Sequence, residues 1–137
     1  MLDTNVVLSA LLWNGAPSRL LVAQQQGTLE LFTSEALVEE LRDVLLRAKC
    51  AKRLLEGNSS AYQLLSLYVA AASLVHPVSV PRTAPDPDDD VVIGTALAAR
   101  ANLIVTGDKA LLSVGVYEGG RIVTVSEALS AAALNSS

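Results

Sequence analysis

The chain carries one cysteine and one histidine. That scarcity rules out an internal disulfide framework, ordinary Cys/His zinc sites, and serine or cysteine triads. His76 stands before Pro77 in an apolar stretch and reads as a packed or surface histidine, so a two-histidine ribonuclease is also set aside. No G-x-x-x-x-G-K stretch exists, and Gly119-Gly120 reads as a turn signal rather than a phosphate loop. No apolar run reaches the ~18 residues needed to span a bilayer, and the start lacks the basic and apolar regions of a signal peptide. Only 18% of the 137 residues are charged. With 51% hydrophobic residues and a mean hydropathy of +0.42, disorder is not expected. A single cytoplasmic domain over residues 1–137, without a membrane partner, is the expectation.

Net charge is −4, which argues against a non-specific nucleic-acid binder. Its distribution says more. Arg42, Arg47, Lys49, Lys52 and Arg53 fall within twelve residues, and Asp86, Asp88, Asp89 and Asp90 within five. A basic stripe and an acidic knot on one small domain suit a metal site beside a polyanion; they suit equally a solvated helix face and a helix N-terminus.

Short apolar strands alternate with helical patterns. Strands are expected at Leu29–Thr33, Leu74–His76, Leu103–Thr106 and Arg121–Val125, with Met1–Leu2 as the stub of a first strand. Helices are expected over Val6–Leu12, Pro17–Gln26, from a Ser34 cap to about Ala48, from Ser59 or Ser60 to about Ser73, from an Asp86 cap to about Ala101, over Lys109–Leu112, and from a Ser126 cap to about Leu134. The alternation predicts an α/β fold with a central, mostly parallel sheet covered on both faces.

Four acids stand out. Asp3 and Asp108 follow apolar strands, and parallel strands put such endings on one edge of the sheet, where ligands of open α/β folds bind. Asp90 lies at a helix start. Glu40 is separated from Glu39 by helical phase: with Leu37 at zero, the apolar face centres near about 25°, Glu39 falls at about 200°, Glu40 at about −60° and Arg47 beside it at about −80°. Converging carboxylates repel and drive a pKa up unless hard cations such as Mg²⁺ or Mn²⁺ neutralise them. Such a site fits in-line phosphodiester displacement. Each acid also has a plainer explanation: Asp3 and Asp86–Asp89 as helix caps, Asp108 as a turn residue. Trp13 reads as packing at a helix end, with base stacking as the alternative. A phosphoryl-accepting receiver domain would need an acidic pair after the first strand, and Asp3 has no acidic neighbour.

The segments Leu2-Asp3-Thr4-Asn5, Ser34 with Glu40-Leu41, Asp90-Val91-Val92-Ile93-Gly94 and Val105-Thr106-Gly107-Asp108 together resemble, in that order, the PIN-domain nucleases. Asp86-Pro87-Asp88-Asp89-Asp90 and Ile122-Val123-Thr124-Val125-Ser126 resemble a bacterial and archaeal subgroup regarded as toxins of toxin–antitoxin pairs. The resemblance covers nearly the whole chain and implies a three-layer α/β/α sandwich. It implies that Asp3, Glu40, Asp90 and Asp108 hold one or two Mg²⁺ or Mn²⁺ ions, with Asn5 and Thr106 in support. It further implies cleavage of RNA by metal-activated water, a small antitoxin protein as partner, and a homodimer. The alternative is a non-catalytic scaffold of the same fold that binds protein or RNA. Family members carry two or three apolar residues ahead of the aspartate where this chain has Met1 and Leu2, so a longer natural N-terminus is expected.

Overall fold

The computed structural model describes residues 1–13, 15–57, 59–78 and 87–135; the side chains of residues 48, 49, 51, 52, 87–89 and 135 lie outside that description. The expected Asp86 cap and the loop prolines Pro81 and Pro85 therefore lie outside the described residues. The chain order is α1 (Thr4–Leu12), α2 (Ala16–Gln25), β1 (Leu31–Thr33), α3 (Glu35–Leu45), α4 (Ala48–Glu56), α5 (Ala61–Ala71), β2 (Ala72–Leu74), α6 (Pro87–Ala99), β3 (Leu103–Val105), α7 (Lys109–Val114), β4 (Val116–Tyr117), β5 (Gly120–Val123) and α8 (Val125–Asn135).

β1 pairs in parallel with β2, and β3 in parallel with β5, while β4 closes on β5 as an antiparallel hairpin turned at Gly119, where φ is +98°. The Met1–Leu2 stub lies against β3. Leu2 bridges Val105 in parallel, the Asp3 N–H donates to the Val105 carbonyl at 3.0 Å, and the Val105 N–H donates to the Met1 carbonyl at 2.8 Å.

Strand alternation sorts the core into two layers. Leu2, Leu31, Val105 and Val123 pack on one face with Val6, Leu20, Leu41, Leu45, Tyr68 and Ala128. Met1, Ile104 and Ile122 pack on the other with Val92, Ile93, Ala96 and Leu111. Neighbouring positions along each strand thus serve opposite helix layers, which gives the three-layer α/β/α arrangement the sequence predicts. Among the described residues no single helix is long and apolar enough to cross a membrane.

Several boundaries differ from expectation. α3 stops at Leu45 instead of Ala48; Arg47 takes an extended conformation (φ −68°, ψ 147°) and opens a separate helix, α4, whose buried Cys50 and Leu54 need a new axis. β2 starts two residues early, because its register follows β1: Leu31 faces Ala72 and Thr33 faces Leu74. β4 is a strand the pattern did not predict, since two residues cannot show a period. The closing helix is capped by Thr124 rather than Ser126. The Thr124 hydroxyl accepts the Glu127 N–H at 3.2 Å, and the Glu127 carboxylate accepts the Thr124 N–H at 3.1 Å, a reciprocal capping box.

Gly94 marks a close approach. Its carbonyl accepts the Val78 N–H at 3.2 Å, and a Cβ at this position would fall onto the Val78 carbonyl oxygen. A residue without a side chain is what lets this segment lie on α6.

Candidate active site

Asp3 sits where the Met1–Leu2 stub hands over to α1, and its backbone (φ −74°, ψ 167°) is that of an N-cap. One carboxylate oxygen, Oδ1, accepts the Val6 N–H at 2.9 Å; the other, Oδ2, accepts a hydrogen bond from the Thr106 hydroxyl. Thr106 follows β3 directly and is fully buried. Its Oγ also accepts the Asp108 N–H at 3.0 Å, so one side chain ties both aspartates into a single unit. Asp108 in turn caps α7, with Oδ1 accepting the Ala110 N–H at 2.8 Å. Each aspartate is oriented by capping its own helix.

The electrostatics of the unit are unbalanced. Asp3 is only 8% exposed. Burial pushes its carboxyl above the ordinary range and the nearby Asp108 charge adds to that, while hydrogen bonds from Thr106 and from the Val6 and Asn5 N–H groups pull it back. A buried carboxylate that remains disfavoured as an anion despite three donors, with a second carboxylate beside it, is an oxygen-only donor set that suits a hard divalent cation. Asn5 enters this picture through its main-chain N–H; its side chain is exposed.

The other predicted acids lie on two of the helices, α3 and α6. Glu40 lies on α3 and is exposed, as is Glu39, so burial does not separate the two as the helical phase did. Asp90 is partly buried in the first turns of α6, and α3 packs against α6. Among the described residues, no three His, Cys, Asp or Glu side chains are gathered closely enough to hold one ion. Of the basic residues, Arg42 is exposed and pairs with Asp43 at 3.7 Å, and Arg47 is exposed at the α3–α4 junction instead of continuing the Glu40 side of α3. Arg53 on α4 donates through Nε to the Leu12 carbonyl at 2.7 Å. The side chains of Lys49 and Lys52 are outside the described ones.

One pair escaped sequence reasoning. Thr95 on α6 is fully buried and its hydroxyl is hydrogen-bonded to the Ser34 hydroxyl at 3.1 Å, Ser34 being equally buried at the end of β1. Thr95 also bonds the Val91 carbonyl at 2.8 Å. This pair fastens the middle of α6 to the carboxyl end of β1. A lone hydroxyl within the apolar run 91–99 was the available signal.

Two helical layers on a mainly parallel sheet, with coupled aspartates at the carboxyl ends of its strands, define an α/β domain with an acidic candidate site. A family model described as PIN domain matches residues 1–110. The chain belongs to the PIN-domain family, whose members are generally nucleases that typically use divalent metals. No curated protein and no solved structure matches the chain.

Proposed function

We propose that this protein is a divalent-metal-dependent ribonuclease that hydrolyses RNA phosphodiester bonds. The observation that carries the reading is the Asp3–Thr106–Asp108 unit, a buried and electrostatically uncompensated carboxylate tied to a second one. Asp3, Glu40, Asp90 and Asp108 would hold one or two Mg²⁺ or Mn²⁺ ions. When bound, such ions supply positive charge and Lewis acidity at a phosphodiester. The chain's own residues do the rest. Val6 N–H and the Thr106 hydroxyl fix the plane of the Asp3 carboxylate, and Thr106 keeps Asp108 in register with it. Asn5 supports the same edge through its N–H. Arg42, Arg47, Lys49, Lys52 and Arg53 would hold the phosphate backbone, which positions RNA without reading its sequence.

The test is RNA cleavage with Mn²⁺ by the wild type, Asp3→Asn and Asp90→Asn. Both variants are expected to lose at least about a hundredfold in rate. Equal cleavage by all three would trace the activity to a contaminant.

Within this function we infer the role of a cytoplasmic toxin, acting as a homodimer and silenced by a small antitoxin protein that covers the acidic edge. Support comes from the likeness of Asp86–Asp90 and Ile122–Ser126 to that subgroup. Expression in a bacterial host is expected to arrest growth in the wild type and not in Asp3→Asn; growth unaffected by either would remove the toxin role.

One observation favours a second reading, a non-catalytic scaffold: among the described residues no three acids are gathered closely enough to hold one ion. Calorimetry separates the two, since absence of heat and of a thermal shift with Mg²⁺ or Mn²⁺ would favour the scaffold.

A further inference from the structure

Trp13 is the one tryptophan of the chain, and it occupies the C-cap of α1, the end opposite Asp3. Its backbone is extended (φ −130°, ψ 154°), with its N–H still bonded to the Ser9 carbonyl at 3.1 Å. The ring is thereby projected past the helix end and left 49% exposed. Packing alone does not account for that, because burying such a ring is among the larger gains a side chain can make. The Arg53 guanidinium lies over the ring, with Cζ at 5.8 Å from its centroid. Nε of Arg53 is fixed by the Leu12 carbonyl at 2.7 Å, while the remaining guanidinium meets Glu56 only at 4.0 Å. Among the described residues these are its polar partners, which leaves several of its five N–H donors for an oxyanion. The sequence of α4 adds Lys49 and Lys52 to Arg53 against the single acid Glu56.

We propose that Trp13 and Arg53 form a preorganised platform for single-stranded RNA, the indole stacking a base and the guanidinium taking an adjacent phosphate. An exposed ring beside a fixed cation is the pairing that binds single strands without sequence preference. Because Leu12 already orders Arg53, little conformational freedom remains to be lost on binding. Ten residue steps along α1 put the platform about 15 Å from Asp3, a length that a few nucleotides of single strand cover. The proposal rests on the ribonuclease reading and extends it, giving the substrate a second anchor away from the acids.

The test uses the full chain in EDTA, so that binding is read without cleavage. An oligouridylate of about ten nucleotides is expected to quench Trp13 fluorescence saturably. By anisotropy of labelled RNA, Trp13→Ala is expected to bind about tenfold more weakly and Trp13→Phe within about threefold of wild type. With Mn²⁺, Trp13→Ala is expected to raise KM on that substrate, leave kcat intact, and change neither on a dinucleotide too short to reach the platform. RNA binding without quenching, and equal in wild type and Trp13→Ala, would overturn the platform and leave the ribonuclease reading standing. Neither binding nor Mn²⁺-dependent cleavage by the wild type would end both. Quenching that follows protein concentration without RNA would assign Trp13 to a protein contact and overturn the proposal.

Discussion

The strands fall into a two-stranded sheet, β1-β2, and a three-stranded one, β3-β5-β4, and their carboxyl and amino edges treat buried polar groups in different ways. At the carboxyl edge several such groups meet partners: Asp3 meets Val6 and Thr106, Ser34 meets Thr95, and Thr33 meets the Tyr68 hydroxyl. At the amino edge lies a cleft of about 350 Å³ walled by Met1, Leu31 and Leu103 on its apolar side and by Glu30, Arg100 and Asn102 on its polar side. The Met1 ammonium is buried beside it, and its one hydrogen bond among the described residues goes to the Leu103 carbonyl at 3.1 Å. Burial costs both edges, but at the carboxyl edge the cost is offset by donors, and the remainder is concentrated on Asp3. A remainder of that kind is what a cation can neutralise. At the amino edge the buried amine has one carbonyl acceptor among the described residues, and desolvation drives it toward its neutral form.

The largest contrast should separate Asp3→Asn from Ile104→Ala. Ile104 is fully buried in the middle of β3, and truncating it is expected to cost about 3 kcal/mol in urea denaturation while activity per folded molecule survives. Asp3→Asn should do the reverse. It removes a carboxyl held above its ordinary range, so the variant is expected to melt no lower than wild type without metal while cleavage collapses. Burial disfavours the anion in the folded state, so the wild type loses stability as pH rises from the unfolded carboxyl value through the raised folded one. Mn²⁺ should restore that loss above the raised value, in the wild type only. Equal destabilisation by the two substitutions would mean the carboxyl edge is built for stability, and the comparison would fail.

Thr106→Val tests the bridge itself. It keeps the volume but strands the Asp108 N–H and one Asp3 oxygen. A loss of about 2 kcal/mol in stability and of about tenfold in Mn²⁺ affinity by calorimetry is expected, with Thr106→Ser recovering most of both. An unchanged metal affinity would detach Thr106 from the site.

These substitutions also show what the sequence made legible. Thr106 entered only through the family resemblance, but Asp3 and Asp108 could be picked out because a strand end fixes where the next residues emerge, and both strand ends are short-range features. The two-layer core was legible for the same reason, as alternation along Leu103–Val105 and Ile122–Val123 is local. Glu40 and Asp90 are different. Whether they reach Asp3 depends on how α3 and α6 lean on the sheet, which no single-helix wheel contains. The wheel placed Arg47 beside Glu40 by continuing a helix that ends at Leu45. The Ser34–Thr95 bond, 61 positions apart in sequence, lies further still beyond local pattern.

Gly94→Ala asks whether the α6 side of the site depends on the close approach of Val78. An added methyl meets the Val78 carbonyl oxygen. Overpacking of about 1–3 kcal/mol is partly offset by the better helix propensity of alanine, about 1 kcal/mol. A net loss of about 1–2 kcal/mol is expected by chemical denaturation. A stabilised variant would show that the Val78 segment moves aside freely and does not help to place α6.

The smallest effect belongs to the amino edge. Desolvation lowers the Met1 ammonium from its ordinary value near 8.0 to about 5. The unfolded chain therefore binds the extra proton between those values and the folded chain does not, so this amine's contribution is intact above the unfolded value and is lost as pH falls. Between pH 8 and pH 7 the linkage amounts to about 1 kcal/mol, measurable as a falling urea midpoint in a chain of this sequence. Acetylating the amine removes the titration and should flatten the profile over that interval. Joining two valines ahead of Met1 should do the same and also raise the melting temperature, since it moves the charge outward and sets apolar atoms against the cleft. If the extended chain melts no higher than the acetylated one, the cleft contributes nothing beyond the buried charge, and the contrast between the edges reduces to electrostatics.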